Sequence, residues 1–207
     1  MNASQEVLDF WLGDAAISPD HARQQKKLWY RSSAEIDQEI ETRFADLHRR
    51  AAAGELEDWQ QSPEGSLALV IVLDQFSRHL YRGEPGAFAY DALALKVARD
   101  CPEPKSLPLI ARAFLLHPFE HAEDPETQQE SVQQFEQLLA DADEPWQNLM
   151  ANFLTHAKEH ADIVLKFGRF PHRNPILGRQ NTPEEDTYLA SSGKTFGQRV
   201  KAKPTPD

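Results

Sequence analysis

Apolar residues in this chain recur at helical spacing and nowhere alternate at the period of a strand, which restricts the chain to an all-α fold. Ile36, Ile40, Phe44, Leu47 and Ala51 form one stripe of a helix from about Ser33 to Ala53, ended by Gly54. Three further helix starts combine a capping side chain, a proline at the first helical position and an early acid: Ser62-Pro63-Glu64, Asp124-Pro125-Glu126 and Thr182-Pro183-Glu184-Glu185. The first leads into Leu67-Ala68-Leu69-Val70-Ile71-Val72-Leu73 and on through Phe76 to Leu80, a central helix buried nearly all round. A short helix carrying Val7, Leu8, Phe10 and Trp11 is expected after Ser4 as its cap, ending at Gly13.

Later segments follow the same logic. Asp91 opens a helix that ends near Cys101-Pro102, and Leu109 to Leu116 form another that Pro118 is expected to stop, with a separate short turn over Phe119 to Glu123. Val132, Phe135, Leu138 and Leu139 share one side of a helix, and Trp146, Met150, Phe153, Ala157, Ala161 and Val164 stripe a long one from about Trp146 to Phe167. Short connections predict antiparallel helix pairs, although no strict repeat of about 34 residues is visible. Phe167 to Arg179 is too rich in Pro and Gly to be helical and is expected as an extended segment.

At 207 residues the chain suits one domain, placed at residues 1–193, with 194–207 as a loosely tied tail. No apolar run approaches the roughly 20 residues of a membrane helix, and the first residues lack a secretory pattern, so no membrane association and a cytoplasmic location are expected. Cys101 is the only cysteine, which excludes internal disulfides and multi-thiolate zinc sites. The net charge of −11 argues against nucleic acid as a partner. That charge is uneven: residues 166–203 carry a net of +5, leaving −16 on the rest. The basic segment either lies over an acidic helical body or builds an anion-binding groove with it.

Three segments concentrate groups able to act as acids, bases, ligands or ion-pair partners: Asp74 to Gly83, Pro118 to Asp124 and Phe167 to Arg179. Asp74 and Arg78 are spaced to meet on one helix face, with Arg82 a turn further. They form either an internal ion pair, possible also between Arg78 and an acid of the Glu120 to Asp124 group, or a fork ready for a carboxylate or phosphate. Arg169, Arg173 and Arg179 carry the same two readings, and Asn174 stands beside them. His172 and His121, with Glu120, are candidate acid/base groups. His117-Pro118-Phe119-Glu120-His121 spells the inverted zincin pattern, but Pro118 at a helix start would leave His117 at the cap, so a metal is not expected. His121 and His160 are the minor metal candidates, and His160 falls inside an apolar stripe, where a satisfied core histidine is the alternative.

Asp74-Gln75-Phe76-Ser77-Arg78-His79-Leu80-Tyr81-Arg82-Gly83, Pro118-Phe119-Glu120-His121-Ala122-Glu123-Asp124 and Phe167-Gly168-Arg169-Phe170-Pro171-His172-Arg173-Asn174 together closely resemble the bacterial family called domain of unknown function 924. Val7-Leu8-Asp9-Phe10-Trp11 and Leu177-Gly178-Arg179 fit as well, so the resemblance spans nearly the whole chain. It implies a helical stack similar to the tetratricopeptide-like superfamily and supplies no catalytic residues. The position of His117 is usually apolar in that family, which makes the zincin match incidental, and Ala122 stands where serine is common.

The expectation is therefore a helical protein binding a small anionic molecule or peptide carboxylate through Arg78, Arg82, Arg169, His172, Arg173 and Asn174. One alternative is an enzyme, either a metal-assisted hydrolase built on Glu120, His121 and His160 or an acid/base catalyst using His121 or His172 with Glu120. The other is a purely architectural cluster in an interaction scaffold. Cofactor and oligomeric state carry no signal in the sequence.

Overall fold

A computed structural model describes residues 2–31, 33–192 and 195–198, and these contain helices, turns and loops but no strand. Helix α1 spans Ala3–Trp11, α2 Pro19–Tyr30, α3 Ala34–Ala52, α4 Pro63–Val70, α5 Ser77–Leu80 and α6 Asp91–Arg99. Then follow α7 Leu109–Glu120, α8 Pro125–Ala140, α9 Glu144–Phe167, α10 Asn174–Leu177 and α11 Pro183–Ser192.

Caps set most of these boundaries. The hydroxyl of Ser62 accepts from the Gly65 amide at 3.1 Å, and the Asp124 carboxylate accepts from the Thr127 amide at 2.8 Å. Gly168 adopts φ +71 and ends α9 in the left-handed conformation that side chains disfavour. The first helix departs from expectation, because Asn2 rather than Ser4 caps it, its Oδ1 accepting from the Ser4 amide at 3.3 Å. Helix α2 was not foreseen. Ser18-Pro19-Asp20 carries the same start signal as the other helices, with the Ser18 hydroxyl capping His21.

The central helix is continuous from Pro63 to Leu80, but Ile71–Phe76 winds as a π turn between α4 and α5. All six residues of that turn are buried, Asp74 completely. Around it α1, α3, α6 and α7 pack, with Phe44 stacked on Phe76 at 4.8 Å between ring centres. Helices α8 and α9, joined by three residues, pack along each other as an antiparallel pair, and α7 lies against α8. Trp29 locks α2 onto α1 through a 2.7 Å hydrogen bond from Nε1 to the Trp11 carbonyl, and its ring meets Phe114 of α7 at 4.7 Å. That docking brings the end of α2 beside His79 of α5, His117 and Glu120 of α7 and Phe153 of α9.

Two boundaries are corrected. Helix α7 does not stop at Pro118, which lies inside it; Pro118 removes only its own amide, while the His121 amide still bonds the His117 carbonyl at 2.9 Å and Phe119 and Glu120 stay buried. Nor is the Arg/Pro-rich segment extended: Pro171–Arg173 forms a 3₁₀ turn that runs directly into α10. Two ion-pair anchors hold this coil down. Arg169 grips Glu185 with Nε at 2.7 Å and Nη2 at 2.8 Å, and Arg179 grips Glu123 with Nη1 at 2.7 Å and Nη2 at 2.9 Å. Of the expected tail, Thr195 to Gln198 are described and lie against the body; residues 193, 194 and 199–207 are outside the described residues.

No helix among the described residues is long and apolar enough to cross a membrane.

Candidate functional site

The π turn places the side chain of Asp74 beneath a cleft of about 470 Å³. A π turn is wider than an α turn and is a common way to redirect one side chain at a functional site. Oδ1 of Asp74 lies 2.8 Å from Nδ1 of His121, which caps α7, and Oδ2 accepts from Nε2 of Gln75 at 2.6 Å. Arg78, one turn along, contacts Asp74 at 3.1 Å and meets Asp91 with both nitrogens, Nη1 to Oδ1 at 3.0 Å and Nη2 to Oδ2 at 3.2 Å. Arg78 thus pairs with Asp74 and Asp91, not with an acid of the Glu120 to Asp124 group.

Arg173 completes this floor. Its Nη1 donates to Oδ2 of Asp91 at 3.0 Å and its Nη2 to the His121 carbonyl at 3.0 Å, while the guanidinium lies between the rings of Phe88 at 4.4 Å and Phe170 at 4.6 Å. Gln198 seals one edge, donating from Nε2 to the Arg78 carbonyl and accepting the Gly83 amide, each at 3.0 Å. On the next side Asp37 accepts Nε and Nη2 of Arg82, both at 2.7 Å, and Nδ1 of His79 at 2.8 Å.

A second buried carboxylate stands deeper in the cleft. Glu120 is 4% exposed, and its one ion-pair partner among the described residues is the His160 ring, with Nδ1 at 2.9 Å from Oε1. That same Nδ1 lies 2.8 Å from the His156 carbonyl, and Nδ1 of His117 lies 2.7 Å from the Ala113 carbonyl. Carbonyls and carboxylates only accept, so each of these Nδ1 atoms carries the hydrogen and donates it. Trp29, Tyr30, Phe88, Phe153 and Phe196 supply the aromatic walls.

The electrostatics follow from burial and partners. Burial by itself would raise the Asp74 carboxyl, but the Arg78 and His121 charges overrule it and hold it below the usual range. For His121 burial is the largest influence and the Arg78 charge the next; together they push the imidazole down to about 4 against the pull of Asp74. Burial, then Arg173, depresses His172 to about 2. Burial would raise Glu120, yet the His160 ring, followed by His117 and His121, brings it down to about 2. At neutral pH the cleft therefore presents uncharged His121 and His172 imidazoles beside an ionised Glu120.

The residues singled out from sequence separate into two groups. Arg78, Arg82, Glu120, His121, His160, His172 and Arg173 all line the cleft. Arg169 and Asn174, expected to hold a ligand, do not: Arg169 is spent on Glu185, and the buried Asn174 donates to Asn181 at 2.8 Å and Glu185 at 3.2 Å. Among the described residues no group of three or more His, Cys, Asp or Glu side chains is placed to hold a metal ion. Sequence reasoning missed Asp91, whose position at a helix start reads only as favourable to the dipole, and missed Trp29 and Tyr30 with the helix that carries them. Asp37, Phe88 and Gln198 carried no signal that could have marked them.

Comparison with curated proteins finds no match. A solved structure of a protein of unknown function from Agrobacterium tumefaciens is similar, at 37% identity and a TM-score of 0.74, covering 90% of this chain and 96% of that one. A family model described as a bacterial protein of unknown function (DUF924) matches residues 7–193. With nearly all of its helical body matched, this all-α chain belongs to the DUF924 family.

Proposed function

We propose that the cleft is a small-molecule site with acid/base chemistry at His121. The observation that carries this reading is the Asp74–His121 pair: a fully buried carboxylate 2.8 Å from Nδ1, and a neutral ring that lines the cleft. Because Nδ1–H is committed to Asp74, the lone pair belongs to Nε2, and no described residue hydrogen-bonds that atom. A carboxylate-oriented, neutral imidazole is the arrangement that lets a ring take a proton from a bound molecule and return it. The low pKa keeps the ring free of a proton over the whole neutral range, so it enters such a cycle as the base.

The arginines serve this site by fixing it. Arg78 and Arg173 share Asp91, and Arg173 also holds the His121 carbonyl, so the network sets where the His121 ring stands. Anion binding at Arg78, Arg82 and Arg173 is the second reading, favoured by their place in the cleft lining. An incoming anion would have to compete with Asp91 and Asp37, which already occupy their forks.

Acylation with diethyl pyrocarbonate tests the first reading, since the reagent attacks only unprotonated imidazole. At about pH 5.5 an ordinary histidine is mostly protonated. His121 is expected to be acylated at that pH, as mapped by peptide mass spectrometry; a His121 left untouched would contradict the reading.

A further inference from the structure

Five buried or half-buried carboxylates pair with arginine: Asp74 with Arg78, Asp91 with Arg78 and Arg173, Asp37 with Arg82, Glu123 with Arg179 and Glu185 with Arg169. Glu120 departs from this pattern. It is 4% exposed, lines the cleft, and has no Arg or Lys within ion-pair distance among the described residues, its one ion-pair partner there being the His160 ring. A carboxylate taken out of water without an Arg or Lys beside it is costly, and Glu120 faces the cleft, from which a cation could reach it.

The surrounding groups share this polarity. His117 lies one turn before Glu120 on α7, and His160 touches Glu120 from α9; both rings line the cleft with Nδ1–H already donated to a carbonyl. When neutral, each can offer only the Nε2 lone pair, so Glu120, His117 and His160 present acceptors to the cleft. Trp29, Tyr30 and Phe153 stand around it, and aromatic faces also attract cations. The spacing disfavours a bare metal, which would need nitrogen and oxygen ligands at about 2.1 Å from one centre. An ammonium group donates over about 2.9 Å and accommodates acceptors that are further apart. No group of three or more His, Cys, Asp or Glu side chains among the described residues is placed for a metal.

We propose that the cleft takes a small primary amine, its ammonium group donating to the Glu120 carboxylate and to Nε2 of His117 and His160, and its apolar body lying between Trp29 and Phe153. This rests on reading the cleft as a small-molecule site and names the class of molecule.

Calorimetric titration of the wild-type protein with benzylammonium, benzyl alcohol and benzoate tests the proposal, because the three share one apolar body and differ in the head group. Benzylammonium is expected to bind at least tenfold more tightly than either of the others, and Glu120→Gln is expected to remove that preference. Equal binding of the three, tighter binding of benzoate, a preference that survives in folded Glu120→Gln, or no binding by any of them would overturn it. The comparison on the wild type stands even if the variant does not fold. If His121 is acylated at low pH and benzylammonium does not bind, the amine class alone fails; if His121 is not acylated, the acid/base reading fails whatever binds.

Discussion

Nδ1 of His121 lies 2.8 Å from Oδ1 of Asp74, tying the end of α7 to the π turn of the central helix across 47 residues of sequence. Asp74 serves Gln75 and Arg78 as well, so one fully buried side chain satisfies three neighbours. Asp74→Ala would leave the His121 and Gln75 donors and part of the Arg78 charge without an acceptor. The expected loss is about 3–5 kcal/mol of unfolding free energy, read from the midpoint of urea denaturation. A loss under about 1 kcal/mol would mean that water replaces the carboxylate without penalty.

Asp91 is the second such hub, since Arg78 and Arg173 both depend on it. Asp91→Ala is expected to cost about 3–5 kcal/mol, because the buried Arg173 and the half-buried Arg78 lose their shared partner. By contrast Arg23→Ala, which removes an exposed pair with Asp20, should stay within about 0.5 kcal/mol of wild type. Parallel denaturation curves of the two variants check the contrast; similar losses would contradict it.

Much of this arrangement can be read from the letters, and the exceptions have physical reasons. The Ile36 to Ala51 stripe and the Asp124-Pro125 start give α3 and α8 to within a residue or two, because burial of one face and satisfaction of the first amides are local requirements. The π turn could not be read, since Leu67 to Leu73 is apolar on every side and a uniform run carries no phase. Pro118 inside α7 and the helical turns after Phe170 were misread for a related reason. Proline and glycine set local preference, while the Arg169–Glu185 and Arg179–Glu123 pairs and the burial of Phe119 are settled by distant segments. Asp74 with Arg78 was legible as a helical spacing; that Asp91 and Arg173 would join them was a matter of tertiary packing.

Acid should destabilise the protein in two stages. His121 and His48 titrate at about 4 and His172 at about 2 in the folded chain, in each case with burial as the leading cause, whereas unfolded imidazoles titrate near 6.5. Below about pH 6.5 the unfolded state binds more protons, so stability falls toward about pH 4, by up to about 1.4 kcal/mol per pH unit for each histidine. Asp37 and Glu120, held at about 2, contribute stability that is present above the unfolded carboxylate range and is lost as the pH falls toward 2. Denaturation midpoints measured across this range check the order of the stages, and a flat profile between about pH 6.5 and 5 would contradict it.

Gly65 allows the chain entering α4 to pass close under Trp59. A Cβ built there would stand 2.1 Å from the Trp59 carbonyl oxygen, closer than any real contact. Gly65→Ala is therefore expected to destabilise by about 1–3 kcal/mol despite the better helix propensity of alanine. A melting temperature at or above that of wild type would show that the backbone relaxes freely.

Burial and the Arg78 charge keep His121 neutral while Asp74 orients it with Nε2 open to the cleft, and the ¹⁵N and ¹³C resonances of the His121 ring followed through a pH titration test this most directly. The account predicts an Nδ1–H tautomer with an unprotonated Nε2 at neutral pH and a transition near 4. An Nε2–H tautomer, or a transition at the ordinary value near 6.5, would contradict it.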